Sequence, residues 1–387
     1  MSRSLGAARK LVFTSLVVCV PTVGTEVWLR LTRPHSDLWE LTGRERGPDI
    51  KAAWADVDAF CAYRARPGAY TGVGADGTKL KTVNSDGYIS TPELTRSRRP
   101  GALRVAFLGE SSCAGTGSEP VLADEETWPW QVSAALTRAL GQEVELLNAS
   151  ASAYTSFESL GRLQARVRFY RPDVLVIYHG WNELIFAHPD VDAGSWRAHP
   201  DGSWSLTRQF ALLEPRAIDR LIWPSQLLTK LRIKLEELPR GQLPEELRPV
   251  PDCDPERLQV AGENLRLLLG MARGLGIETF VCVQPTLVVP DLPAAERERC
   301  GYFPYPHEAH LRAIRAYRRL QAEVVPAGRL IDLTALDGRG ELFLDHIHPG
   351  PEGAREVARR VTQALLTRSA ALGAPPTLVR ADKDHRR

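Results

Sequence analysis

One serine, one asparagine and an aspartate–histidine pair carry the side chains in this sequence that are best placed for chemistry. In RVAFLGESSCAGTG (104–117) an apolar run stops at Gly109, and Ser111 follows two residues later. A serine hydroxyl becomes a nucleophile only when a base takes its proton. It also needs donors aimed at the oxyanion that forms as it attacks. LDHIHPGPEG (344–353) places Asp345 and His348 three residues apart. If this segment is a loop leading into a helical turn, the two share a face. The carboxylate then holds the imidazole in the tautomer that accepts the serine proton. YHGWNE (178–183) offers the Asn182 amide as an oxyanion donor, with Gly180 relaxing the backbone beside it. NASASAYTS (148–156) is a run of small residues that lets a backbone N–H approach a substrate.

Three other chemistries fail on spacing. A phosphate loop requires G-x-x-x-x-G-K-[ST], but Ala114 stands where the second glycine belongs and no lysine follows. The G-x-G-x-x-G dinucleotide fingerprint is absent. In a G-x-S-x-G elbow the second glycine would fall on Cys113. Taken alone, Ser111 is equally a helix N-cap, Asn182 a loop cap, Asp345 a turn former and His348 a surface residue. Four elements in order, each at the end of an expected strand, favour the chemical reading.

The elements that must position these groups are legible as alternation. Residues 104–108, 143–147, 173–178, 278–283 and 329–333 are short apolar runs, expected as strands buried on both faces. Amphipathic stretches at 130–140, 159–170, 257–273, 307–325 and 352–372 are expected helices. Such alternation implies an α/β fold, a doubly wound parallel sheet with helices on both faces. Ligands in such sheets bind beyond the carboxyl ends of the strands. Residues 36–100 are less regular and are expected to add small β pieces packed on the main domain at 101–372. Residues 186–252 interrupt the alternation as an insertion, with a helical stretch at 209–237 that is either a lid or extra packing. Residues 373–387 form a polar tail.

With 387 residues, 43% hydrophobic and net charge +2, the chain is globular and has no electrostatic footprint for nucleic acid. Its first ten residues carry only positive charges, and an apolar stretch at 11–24 follows with no A-x-A site. The pattern at 1–35 is that of an uncleaved signal anchor, which would attach the protein to a membrane and leave the large domain extracytoplasmic. If the segment is cleaved, the protein is secreted. None of the six cysteines forms a C-x-x-C pair. Cys253 and Cys300, in polar proline-bearing segments, leave a bridge or two free thiols open. Ser112 is expected to cap a helix start and Cys113 to be a small buried side chain.

Together, GES (109–111), NASASA (148–153), GWN (180–182) and D-x-x-H-P (345–349) resemble the four blocks of the SGNH/GDSL hydrolases. The resemblance spans about residues 100–370, and TVNSDGY (82–88) resembles bacterial, N-terminally anchored members. It implies a three-layer α/β/α sandwich with a flavodoxin-like five-stranded parallel sheet. It also implies a serine esterase acting on an acyl ester, on an extracytoplasmic carbohydrate or lipid, through an acyl-enzyme. By the same correspondence Ser111 is the nucleophile, His348 the base and Asp345 its orienting acid. The backbone N–H groups of Ser111 and Ala153 and the side chain of Asn182 form the oxyanion hole. No metal or organic cofactor is implied. An O-acyltransferase using the same triad and a catalytically weak carbohydrate-binding protein are the alternatives. Glu110 and Glu183 stand where the family usually has Asp, and Ala153 where it has Gly. Alanine keeps the backbone N–H, provided the turn does not demand positive φ. His179 and His346 flank the blocks without the position of a base.

Overall fold

The computed structural model of the chain describes residues 19–32, 55–58, 60–74, 77–117, 121–189, 221–236, 250–300 and 305–373. Two compact units divide it. One comprises Met1–Val57 with Arg197–Gln242, the other Asp58–Trp196 with Leu243–Arg387. In the first, residues 19–32 and Gln226–Glu236 are helical. Glu26 accepts the N–H groups of Gln226 (3.0 Å) and Leu227 (2.8 Å), which as the first turn of the second helix have no carbonyl of their own helix to reach. No helix among the described residues is long and apolar enough to cross a membrane. Residues 1–18, which carry most of the expected anchor, lie outside the described residues, as do 190–220 and 237–249 of the insertion and the tail beyond 373.

The second unit is built on a five-stranded parallel sheet: β1 (Leu103–Gly109), β2 (Val144–Asn148), β3 (Val174–His179), β4 (Glu278–Val283) and β5 (Leu330–Asp332). Their order is β2-β1-β3-β4-β5, all neighbours parallel. Continuous apolar runs form these strands because both faces are covered. On one face Ala106, Leu108, Leu147, Leu175 and Ile177 pack with Leu163 of the helix Ser156–Ala165 and Leu265 and Leu268 of the helix Gln259–Gly274. On the other, Phe107 and Tyr178 flank Trp128, the first residue of the helix Trp128–Leu140, with ring centroids 5.3 and 5.0 Å apart.

Among the helices that accompany the sheet are α1 (Ser111–Ala114), α2 (Trp128–Leu140), α3 (Ser156–Ala165), α4 (Gln259–Gly274), α5 (His307–Val324) and α6 (Pro351–Arg368). α3 starts earlier than its apolar period indicates because Thr155 and Glu158 close a capping box on its first turn. It also stops earlier, at Ala165, and Val167–Tyr170 continues as a 3₁₀ turn. The stretch expected as one helix at 257–273 opens with a 3₁₀ turn, Pro255–Leu258, where Asp254 accepts the Glu256 N–H.

Upstream of β1, an antiparallel hairpin pairs Gly68–Gly74 with Gly77–Val83. The Thr82 N–H at its end donates to Asp124 at 3.1 Å. Tyr63 donates its hydroxyl to the Ser152 carbonyl, Tyr154 donates its own to the Tyr63 carbonyl, and the two rings meet edge-on at 5.1 Å. The region before β1 thus braces the loop that follows β2.

Candidate active site

All the candidate residues come from segments beyond the carboxyl ends of the strands. β1 runs into Glu110 and Ser111, the first residue of α1, and Trp128 Nε1 donates to the Ser112 carbonyl at 3.1 Å to fasten that helix. Ser111 is 6% exposed. His348 Nε2 lies 2.8 Å from Ser111 Oγ, and His348 Nδ1 lies 2.6 Å from Asp345 Oδ2.

Asp345 and His348 do not sit on a helical turn. Asp345 Oδ1 accepts the N–H groups of Ile347 (2.9 Å) and His348 (2.8 Å), so the aspartate side chain itself builds the bend. α6 starts only at Pro351. The bend is closed by Leu344 N–H donating to the His348 carbonyl at 2.8 Å. It is docked on the loop after β4, where Leu287 N–H and Thr286 Oγ1 both donate to the His346 carbonyl at 2.8 Å. Burial opposes charge on Asp345, but the hydrogen bond and positive field of His348 outweigh it and hold the carboxyl below its ordinary range. An ionised Asp345 thus fixes His348 with Nδ1–H toward itself and Nε2 free to accept from the serine.

Asn182 follows β3. Its Nδ2 donates to the Tyr154 carbonyl at 3.0 Å, which uses one of its two N–H bonds and fixes the plane of the amide. The backbone N–H groups of Ser111 and Ala153 find no acceptor among the described residues. Ala153 has φ 60°, so its turn demands the left-handed conformation that glycine adopts freely. For alanine this conformation costs about 1–2 kcal/mol. Ala153→Gly is therefore expected to stabilise the fold by about 0.5–1 kcal/mol after the greater freedom of an unfolded glycine is subtracted, with activity retained. Urea midpoints decide this, and a destabilised glycine variant would show that the turn is not strained.

The other flanking residues stand outside the relay. His179 is buried, 2.7 Å from Ser159 Oγ, and burial pushes its pKa down to about 3. His346 lies against Trp181 with ring centroids 4.2 Å apart, 6.3 Å from the His348 ring, and burial lowers it to about 4. Ser112 caps nothing: its hydroxyl accepts from Gln284 Nε2 at 3.0 Å. Cys113 is buried, and among the described residues no disulfide joins any of the six cysteines, Cys253 and Cys300 included. Among the described residues no group of three or more His, Cys, Asp or Glu is arranged to hold a metal ion. A cavity of about 1140 Å³ opens at the opposite, strand-start end, lined in part by Arg168, Arg171, Arg266 and Arg273. Arg168 and Arg273 sit in last helical turns, where cations face carbonyl ends.

Glu183 is buried next to Asn182 and accepts the Ser156 N–H and, at 2.9 Å, the Ser156 hydroxyl. Burial raises it to about 8. The folded state therefore binds this proton more tightly than the unfolded chain. The resulting stabilisation is full below the ordinary carboxyl pKa and is lost as pH rises through 8. Urea unfolding at pH 5.5 and 8.5 is expected to show a fall in stability that Glu183→Gln makes smaller, the remainder belonging to Glu110, which burial raises to about 7. An equal fall in the variant would place the titrating group elsewhere.

The model of the GDSL-like lipase/acylhydrolase family matches residues 107–356, a span that runs from the end of β1 through the His348 bend. The chain belongs to this family. As a member it is a carboxylic ester hydrolase. Among solved structures, the lipase/acylhydrolase from Enterococcus faecalis is similar at 17% identity, with 69% of this chain and 96% of that chain covered and a TM-score of 0.38. The acetyl xylan esterase AlAXEase is similar at 14% identity, covering 68% of this chain and 100% of its own, TM-score 0.39. The lipase Lip_vut3 from goat rumen metagenome shares 15% identity over 68% and 97%, TM-score 0.39. Among curated proteins none matches. Gln284, directly after β4, is the buried polar neighbour that motif reasoning missed. The signal available was its place directly after a buried strand, the same rule that singled out Ser111 and Asn182.

Proposed function

We propose that this family member is a serine esterase in which Ser111, His348 and Asp345 form the catalytic triad. The observation that carries the reading is the continuous relay from Ser111 Oγ to His348 Nε2 (2.8 Å) and from His348 Nδ1 to Asp345 Oδ2 (2.6 Å). Ser111 Oγ attacks the ester carbonyl carbon while His348 Nε2 takes its proton, and the carbonyl oxygen becomes the oxyanion. That charge is received by the N–H groups of Ser111 and Ala153 and the second N–H of Asn182. His348 then gives its proton to the leaving alcohol as the carbon–oxygen bond breaks. In the second half, His348 removes a proton from water as it attacks the acyl-enzyme, then returns that proton to Ser111 Oγ as the ester bond breaks and the acid leaves.

For the substrate we favour short O-acyl esters, O-acetyl above all, on a carbohydrate outside the cytoplasm, with lipid esters next. The export pattern of the first 24 residues supports the location, and the family's acylhydrolase chemistry supports the ester. A fluorophosphonate probe tests the mechanism: it is expected to label the wild type once and leave Ser111→Ala unlabelled. Labelling that persists in Ser111→Ala, or folded wild type that takes no label, overturns the assignment. Nitrophenyl esters of increasing acyl length, read as kcat/KM, test the preference for acetyl.

A further inference from the structure

The loop that carries Asn182 is held by two side chains that are bonded to each other. Gln284, directly after β4, is 6% exposed, and its Oε1 accepts the Trp181 N–H at 2.6 Å. Its Nε2 donates to Ser112 Oγ at 3.0 Å and to Glu110 Oε1. The other oxygen of Glu110 accepts the Asn182 N–H at 3.0 Å. Two consecutive backbone N–H groups are therefore fixed, one by each side chain, and Glu110 is covalently next to Ser111. The contact is close: a Cβ on Gly180 would stand 2.1 Å from Gln284 Oε1, so only glycine lets the amide lie against the end of β3. Gln284 is itself braced, since its carbonyl accepts from Arg318 Nη2 at 2.8 Å and Arg318 is paired with Asp337 at 2.6 Å.

We propose that Gln284 is a positioning residue of the oxyanion hole, locked to Glu110 so that the Asn182 loop keeps its place relative to Ser111. The proposal rests on Asn182 being the oxyanion donor. Gln284 touches no reacting atom and acts through the Trp181–Asn182 backbone. The hydrogen bonds have one sense: Trp181 N–H to Gln284, Gln284 N–H to Glu110, and Asn182 N–H to Glu110. That polarity makes the pair exchangeable as a unit but not singly. In Glu110→Gln two amide NH₂ groups face each other, and flipping Gln284 only moves the clash to the Trp181 N–H. In Gln284→Glu two buried carboxyls face each other, and one must hold a proton. In the double exchange every contact keeps a donor and an acceptor: Gln at 110 accepts from Asn182 and donates to Glu at 284, which accepts from Trp181 and from the Ser112 hydroxyl turned to donate.

The test compares hydrolysis of p-nitrophenyl acetate by four full-length proteins, the wild type, the two single exchanges and the double, across pH 6 to 9. At pH 9 each single exchange is expected to lower kcat about 10- to 100-fold at unchanged KM, the scale set by displacing an oxyanion donor. Gln284→Glu alone should recover toward low pH, as the shared proton returns. The double exchange should lie within about 3-fold of wild type, a coupling that independent structural losses do not produce. The ionisable groups around Glu110, namely His348, Glu183, Tyr178, Tyr317 and Cys113, are the same in all four proteins. Gln284→Met keeps length and bulk without hydrogen bonds. It should lower kcat about 10-fold at unchanged KM, and that comparison stands if a single exchange fails to fold. A double exchange as poor as the product of the singles, or a Gln284→Met variant with wild-type kcat, overturns the proposal. Asn182→Ala separates the two levels: if it leaves kcat unchanged, the oxyanion assignment fails. If it lowers kcat about 10²-fold while the exchanges do not couple, only the role of Gln284 fails.

Discussion

Ser111→Ala and His348→Ala are each expected to lower kcat for p-nitrophenyl acetate by about 10⁶-fold, and the double variant no further. The relay makes them one unit. Without the imidazole, the hydroxyl 2.8 Å away has no proton acceptor; without the hydroxyl, the imidazole has nothing to activate. Asp345→Asn should cost less, about 10⁴-fold, because the amide keeps the shape of the bend but presents the wrong partner to His348 Nδ1. Residual hydrolysis would come from the oxyanion hole alone. Removing Oγ from the small Ser111 side chain disturbs little packing, so circular dichroism and melting should match wild type. Losses that multiply in the double variant would mean that serine and histidine act in separate steps.

How much of this site was visible before the fold depends on the kind of contact involved. The strands were legible because both-face burial writes itself as continuous apolar runs such as Val174–Tyr178. The boundaries of α3 and α4 were not, because a capping box at Thr155 and a 3₁₀ turn at Pro255 override the apolar period. Ser111, Asn182, Asp345 and His348 stood out by residue type at strand ends, and the fold brings Ser111, Asp345 and His348 into one hydrogen-bonded relay. The geometry of the Asp345 bend was misread, since a three-residue spacing fits both a helical face and a side chain that caps its own turn. The positive φ of Ala153 was signalled only by comparison with the family's glycine, because alanine itself does not announce a left-handed turn. Gln284 is 174 residues from Glu110 in sequence, and nothing local to either residue encodes their bond. A longer Glu at 110 and a Gln at 284 make sense only once β1, β3 and β4 are seen side by side.

Gly117→Ala is expected to lower kcat by about 10³-fold while leaving a folded protein. Gly117 has φ 103°, a conformation side chains rarely adopt, and it lies over the proposed nucleophile and base. An added Cβ would stand 2.7 Å from His348 Nε2 and 2.9 Å from Ser111 Cβ. Neither neighbour can give way freely. His348 is pinned by Asp345 through both its ring and its backbone, and Ser111 is the first residue of α1. The methyl group must therefore force the imidazole and hydroxyl apart or push the 115–117 loop outward. The second route breaks the Thr116 N–H bond to the Ser111 carbonyl (3.1 Å) and the Thr116–Ser152 hydroxyl contact (2.8 Å), which borders the oxyanion loop. A displacement of 1 Å at a reacting group costs about 10² in rate, and here the base, the nucleophile and the oxyanion loop are all exposed to it. The strain itself, about 1–3 kcal/mol, is affordable for a unit of this size, so melting should fall by only a few degrees. The discriminating measurement is the second-order rate of fluorophosphonate labelling alongside kcat. Both should fall together, because the methyl group obstructs the attack of Ser111 on any acyl or phosphonyl centre. Wild-type labelling with lowered kcat would instead place the damage in deacylation, where water must reach the acyl-enzyme.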